Sequence, residues 1–249
     1  MSVDSEAFEV AHTHALTGKA QALVLCEHAS NHFPSQYGTL GLDAEARASH
    51  IAWDPGALAL SHALSQALNA PLVAGGVSRL LYDCNRPPAA PDAIPLRSEI
   101  YDIPGNQALT LLSHTDRVDR IYRPFCAAVD AAIATANPAA LITMHTFTPV
   151  YNGQNRTVEI GVLHDADSRL ADAMLTASTD APFVVRRNQP YGPQDGVTHS
   201  LNLHAASRGL LNVMIEVRND LVATTAGQQA VSAYLNPLIQ GALDRAKAP

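Results

Sequence analysis

The chain has 249 residues, of which 47% are apolar and 16% charged, and its formal net charge is −7. That composition excludes a disordered chain, and the acidic balance argues against a nucleic-acid coat or an anionic-membrane binder. Eleven histidines stand against 16 Lys plus Arg, so imidazole is prominent relative to cation. Cys26, Cys84 and Cys126 form no CxxC pair and no complete disulfide set, which points to a reducing, cytoplasmic compartment. The N-terminal stretch carries acids and histidines where a signal peptide needs a basic segment and an apolar run. No stretch approaches the roughly 20 apolar residues of a spanning helix. With no repeat or linker, one domain over residues 1–249 is expected.

In chain order, His12 and His14 fall in an N-terminal segment expected to be mobile. The apolar run Ala22–Cys26 reads as a buried strand. Asp54-Pro55 reads as an N-cap and first helical position, followed by Leu60, Leu64 and Leu68 on one face and ended by Pro71. Pro71–Val77 is a second candidate strand. Arg79–Asn106 is rich in Pro and polar residues and reads as a long, functional loop. Gln107–Asn137 has helical period, with Pro124 as a kink or break. Ala140–Met144, Val158–Leu163, Phe183–Val185 and Leu211–Val217 read as strands. His199–Arg208 reads as a helix closed by Gly209, and Thr225–Lys247 as a final helix containing Pro237. Strands alternating with helices predict a mostly parallel α/β sheet.

In such a sheet, ligands bind beyond the carboxyl ends of the strands. Glu27 and His28 follow the first strand, His145 and Thr146 follow Met144, and Glu216 and Arg218 lie in the last strand. Two imidazoles and a carboxylate from separate strand ends suit a zinc site with an open position. Two strand-end histidines held only by hydrogen bonds would explain the same residues. Asp54 is explained as an N-cap, and a carboxylate that binds or supports a metal is the other reading. His32 follows His28 by four, but a strand precedes and Pro34 follows, so no helical ligand pair is expected. His199 and His204, five apart, share no clear helical face. Arg79, Asn85 and Arg86 in one Pro-rich loop can form a carboxylate clamp. A carboxylate in an apolar strand, as at Glu216, is costly to bury unpaired. Its partner is expected to be Arg218 on the same strand face, its role that of a general base, or both.

The ordered motifs are recognisable. Cys26-Glu27-His28-Ala29-Ser30-Asn31 is followed by Asp54-x-Gly56-Ala57, Ser78-Arg79-Leu80 and Asp83-x-Asn85-Arg86-Pro87. Then come Ser98-Glu99-Ile100, Ile103-Pro104-Gly105-Asn106, His145-x-Phe147-Thr148-Pro149, Asn188-x-Pro190-Tyr191 and Ile215-Glu216-Val217-Arg218-x-Asp220-Leu221. The set resembles the N-formylglutamate amidohydrolase family from about residue 22 to 221. That family is similar to zinc carboxypeptidases and to the succinylglutamate desuccinylase and aspartoacylase group. The resemblance implies a three-layer α/β fold with a mixed, mostly parallel central sheet flanked by helices, of the phosphorylase/hydrolase-like, zinc exopeptidase-like kind.

It also implies a divalent metal, zinc first, held by His28 and His145, with Glu216 as base. In the wider group a His-x-x-Glu follows the first strand, and here Asn31 stands where that Glu would be. Either Glu27 or Asp54 then supplies the third ligand, Glu27 being slightly favoured because it adjoins His28, or metal affinity is low. Arg79 or Arg218 would steady an oxyanion, Asn85 and Arg86 would hold an α-carboxylate, and Asn31 and Thr146 would touch substrate. The implied reaction is cleavage of a small anionic N-acyl amino acid, N-formyl-L-glutamate first, to formate and glutamate. The alternatives are a related amidohydrolase or carboxypeptidase-like enzyme with another substrate, and a non-catalytic carboxylate binder. Neither a nucleic-acid nor a membrane partner is expected, and the sequence is silent on oligomeric state.

Overall fold

A computed structural model describes residues 8–14, 20–178 and 181–246. One sheet of seven strands organises them. The strands are β1 (Ala11–His14), β2 (Ala22–Cys26), β3 (Leu72–Gly75), β4 (Ala140–Phe147), β5 (Ile160–Leu163), β6 (Val185–Arg187) and β7 (Leu211–Arg218). Their order across the sheet is β1-β3-β2-β4-β7-β5-β6. The pairs β3/β2, β2/β4, β4/β7 and β5/β6 are parallel, while β1/β3 and β7/β5 are antiparallel. The sheet is therefore mixed and mostly parallel, as expected.

The central strands are apolar throughout because both of their faces are covered. Successive residues alternate between two cores. Ala22, Val24, Ile142, Val213 and Ile215 pack on one face, against helices α2 (Ala57–Leu68), α5 (Arg169–Ala177) and α6 (Thr225–Ala246). Leu23, Leu25, Leu141 and Met214 face the other side, against α4 (Arg123–Ala136). The result is three layers, helix on sheet on helix. Short helices α1 (Ala44–Ala48) and α3 (Leu111–Arg117) complete the set. No helix among the described residues is long and apolar enough to cross a membrane.

Several local expectations change. The N-cap of α2 is Gly56, not Asp54; it sits at φ 87°, in the left-handed region. A Cβ there would meet Val222 Cγ2 at 2.5 Å, so the Gly of the Asp54-x-Gly56 motif is required by packing. Asp54 is thereby free of capping. The helical stretch expected over Gln107–Asn137 is α3, a π turn over Val118–Tyr122, and α4, with Pro124 in the first turn of α4. A prolyl ring clashes with the carbonyl four residues back, and the wider turn relieves it. His199–Arg208 is helical and closed by Gly209 at φ 69°, as expected, but irregular: a π turn over Leu201–Ala205 leads into a 3-10 turn. His12 and His14 lie in the edge strand β1, paired with β3, rather than in a loose tail. The last edge strand is Val185–Arg187 instead of Phe183–Val185. Lys247, the expected end of the last helix, lies outside the described residues.

The Arg79–Asn106 loop is anchored from below. Asn106 Nδ2 donates to the carbonyls of Leu80 and Pro95, and buried Arg117 donates to Leu81 O and to Asn106 Oδ1. These bonds fix a long loop over the strand ends, where backbone groups would otherwise lack partners.

Candidate active site

The site is assembled at the carboxyl ends of β2, β4 and β7. β4 and β7 run parallel and in register from Ala140↔Leu211 to Phe147↔Arg218, which sets His145 directly opposite Glu216. His28 follows β2 by two residues, and its carbonyl accepts the Asp54 backbone N–H at 2.9 Å. That bond brings the Asp54 carboxylate in beneath the two imidazoles. The loop after β3 is docked on the same segment: Ser78 Oγ and the Arg79 backbone N–H both donate to Ala52 O.

Three donor atoms converge. Asp54 Oδ2 lies 3.2 Å from His28 Nδ1 and 2.9 Å from His145 Nδ1, and the two Nδ1 atoms are 3.2 Å apart. All three residues are buried, and they are a group that could hold a metal ion. The outer nitrogen of each ring is met by another carboxylate. His28 Nε2 lies 2.7 Å from Asp83 Oδ1, and His145 Nε2 lies 3.0 Å from Glu27 Oε2. A carboxylate on the remote nitrogen fixes a ring's tautomer and leaves the near nitrogen free to bind a cation. Arg79 Nη2 donates to Asp83 Oδ2 at 2.6 Å, and Nη1 reaches Asp54 Oδ1 at 3.5 Å. Thr146 donates its backbone N–H to Asp54 Oδ2 at 3.3 Å and its hydroxyl to Pro55 O at 2.9 Å.

The charges do not balance. Glu27, Asp54, Asp83 and Glu216 surround two imidazoles; Arg79 is the cation paired with Asp54 and Asp83, and Arg86 adds its field at Asp83. Burial and Arg79 would lower His28, yet Asp83 and Asp54 raise it above the ordinary histidine value. Burial would lower His145 too, and Glu27 and Asp54 lift it well above that value. Burial would raise Asp83 and Asp54, but Arg79 and His28 hold the first, and His28 and His145 the second, below the ordinary carboxylate range. The cluster thus demands positive charge, which protons on imidazole or a divalent cation can each supply. Two nitrogens and one carboxylate oxygen suit a zinc-type ion. Glu216 behaves differently: burial, reinforced by Asp54, lifts it to about 7 despite His145. Its Oε2 is buried and has no hydrogen-bond partner among the described residues.

A cavity of about 540 Å³ opens over this floor. His28, Asp54, His145, Thr146, Glu216, Arg79, Asn85 and Arg86 line it, so eight residues singled out from the sequence meet in one place. Three others do not reach it. Glu27 lies behind His145, on the ring's far nitrogen, rather than beside His28 Nδ1. Asn31 is exposed and donates to Arg47 O, because the chain turns outward after His28. Arg218 is drawn off by Glu159 at 3.3 Å and Asp220 at 2.8 Å, carboxylates nearer to it than Glu216. Asn85 lines the wall, but its amide bridges Val197 O and the Ser200 N–H and so ties two loops together. His199 and His204 are held by Tyr122 and Asp130, outside the cavity. Sequence reasoning gave no role to Asp83, although it stands in the Asp83-x-Asn85-Arg86 motif. It passed over Arg156, which also lines the cavity.

The comparisons with known proteins fall in line with this geometry. A gene product of Agrobacterium tumefaciens is 50% identical, with 96% of this chain and 97% of that one aligned at a TM-score of 0.93. An N-formylglutamate amidohydrolase from Ralstonia eutropha shares the fold at 17% identity, covering 96% of this chain and 97% of that one with a TM-score of 0.63. No curated protein matches the chain with significance. The family model described as N-formylglutamate amidohydrolase matches residues 20–223, and the chain belongs to that family of amide-bond hydrolases.

Proposed function

We propose that the protein is a metal-dependent amidohydrolase that cleaves N-formyl-L-glutamate, or a close N-acyl amino acid, to the free acid and the amino acid. The observation that carries this reading is the convergence of His28 Nδ1, Asp54 Oδ2 and His145 Nδ1 within 3.2 Å of one another, in a cavity lined also by Glu216. His28, Asp54 and His145 would hold the ion, with Asp83 setting the His28 tautomer through its hydrogen bond and Glu27 placing a charge beside the outer nitrogen of His145. A bound zinc-type ion supplies Lewis acidity toward a carbonyl oxygen and toward water.

The chain's own groups do the rest. Glu216, as carboxylate, takes a proton from the attacking water while the water oxygen bonds to the acyl carbon. As the C–N bond breaks, the same carboxyl returns the proton to the leaving amine nitrogen. Burial raises the proton affinity of Glu216 in the metal-free site, a direction that suits that two-way transfer. Arg79, positioned by Asp83, faces developing negative charge on the carbonyl oxygen. Arg86 is oriented by Asp92 and by the carbonyls of Asn85 and Gly196, and it is assigned the substrate α-carboxylate. A non-catalytic binder drew its support from Asn31 in place of a ligand Glu; Asp54 supplies the carboxylate that Asn31 lacks.

The test is formate and acetate release over a panel of N-formyl and N-acetyl amino acids, with the metal content of the same preparation. N-formyl-L-glutamate should yield formate and glutamate in equal amounts, lost on chelation and restored by zinc. Turnover that survives complete metal removal would refute the metal dependence. Absence of release from every substrate, with zinc bound, would refute the substrate class.

A further inference from the structure

We propose that Arg156 is the residue that selects an acidic side chain, by receiving the distal carboxylate of the substrate; this rests on the amidohydrolase reading above. Arg156 follows a hairpin of two short strands, Val150–Tyr151 and Gln154–Asn155. Both turn residues, Asn152 at φ 48° and Gly153 at φ 76°, are left-handed, the pattern of a tight hairpin turn. The Arg156 N–H closes the hairpin on Pro149 O at 2.8 Å. Arg218, expected at the oxyanion, instead donates to Arg156 O at 3.3 Å and braces its backbone.

The guanidinium is caged by rings. Its carbon lies 4.5 Å from the Tyr151 ring centroid, 4.7 Å from Tyr191 and 5.5 Å from Phe147. Nη1 donates to the Tyr191 hydroxyl at 2.8 Å. Rings orient a guanidinium and shed its water, but they do not neutralise it. All three rings line the cavity along with Arg156. Tyr191 also sits within the field of Glu216: burial first, and Glu216 next, raise its phenol. The cage therefore adjoins the reacting centre.

Counter-ions separate Arg156 from the other arginines of the cavity. Arg79 pairs with Asp83 at 2.6 Å, Arg86 with Asp92 at 2.6 Å and Arg97 with Asp102 at 3.2 Å. Among the described residues, Arg156 has no ion-pair partner. A half-buried, oriented, unpaired guanidinium in an active-site wall is a receptor for an anion. With Arg86 on the α-carboxylate, a second carboxylate of the same substrate is the anion that remains.

The experiment uses the full chain loaded with zinc, as wild type, Arg156→Met and Arg156→Lys, with N-formyl-L-glutamate and its neutral isostere N-formyl-L-glutamine. Thermal unfolding of each variant is measured alongside, and if Arg156→Met does not fold, Arg156→Lys carries the comparison. Arg156→Met should lose roughly 10–100-fold more kcat/KM on the glutamate substrate than on the glutamine one, the scale of a charge-assisted hydrogen bond. Arg156→Lys should lose less of this discrimination. Equal losses on both substrates, or a wild type without preference for glutamate, would overturn the proposal. Calorimetric binding of glutarate and of its monoamide keeps the test independent of turnover. If no N-formyl amino acid is hydrolysed, the substrate reading falls, and a glutarate preference abolished in Arg156→Met still supports the carboxylate site. No such preference in the wild type overturns it.

Discussion

Asp54 and Glu27 both touch His145, and the geometry gives them different tasks. Asp54 Oδ2 shares the space between the two Nδ1 atoms, at 2.9 and 3.2 Å, whereas Glu27 meets only the outer Nε2 of His145, at 3.0 Å. Asp54→Asn should remove a charged donor from the ion itself. Glu27→Gln should leave three donors in place and remove only the charge beside the outer nitrogen of His145. Outer carboxylates of this kind are worth about 10–100-fold in metal affinity. Glu27→Gln should therefore weaken zinc by about that factor, and Asp54→Asn by more than about 100-fold. Competition with a chromophoric chelator at neutral pH reads both affinities directly. Near-isosteric replacements keep the buried volume, so the difference reports charge and ligation rather than a cavity. If Glu27→Gln loses zinc and Asp54→Asn retains it, Glu27 is the ligand and the assignment is wrong.

Four further outcomes follow from the same geometry. Glu216→Gln should keep its zinc and lose about 10²–10⁴-fold in kcat, the range for general-base catalysis. The wild-type acid limb should fall at or below the pH near 7 at which buried Glu216 gains its proton in the metal-free site; activity that does not decline at any acidic pH at which the protein stays folded would remove Glu216 as the base. Without metal, the raised values of His28 and His145 stabilise the fold below about pH 6.5, and that stability is lost as pH rises through those values. The depressed carboxyls of Glu27, Asp54 and Asp83 stabilise it above about pH 4 and lose that effect as pH falls. Added zinc should accordingly raise Tm more at pH 8.5 than at pH 6.5, and a constant increment would show that zinc does not replace the imidazole protons. Gly75→Ala should weaken zinc and lower Tm together, because its Cβ would collide with Glu27 O and displace the segment that leads to His28. Intact zinc affinity in that variant would show that this segment can shift without moving the ligand.

The sheet was legible where both faces are buried. Ala22–Cys26, Ala140–Phe147 and Leu211–Arg218 are near-continuous apolar runs because helices cover both sides. The edges were harder. β1 reads Ala-His-Thr-His and makes its case through backbone bonds to β3, which composition does not record. The hairpin that carries Arg156 had a local signal, the dipeptide Asn152-Gly153, hidden inside a polar stretch. At the site, His28, His145 and Glu216 were legible because they end or interrupt apolar strands. Glu27 was misplaced by an argument from adjacency: neighbours near a strand end point to opposite sides, so the residue beside His28 in sequence serves His145 from behind. Asp54 was obscured by a capping pattern that Gly56 fulfils instead.

The net charge of −7 conceals a cavity with two opposite demands. Its floor gathers Asp54, Asp83 and Glu216, with Glu27 behind, and the Arg79 guanidinium offsets only part of that charge. Its walls carry Arg86 and Arg97, paired with Asp92 and Asp102, and Arg156, which has no ion-pair partner among the described residues. A single small ligand cannot satisfy both: an anion on the floor is repelled, and a cation beside Arg156 meets the same fate. A divalent ion below and an anionic substrate above satisfy each in turn, and the ion's charge then strengthens the substrate's hold on the floor. This order predicts that anionic product analogues bind more weakly to the metal-free protein than to the zinc-loaded one. Equal binding by both forms would mean that the walls alone hold the substrate.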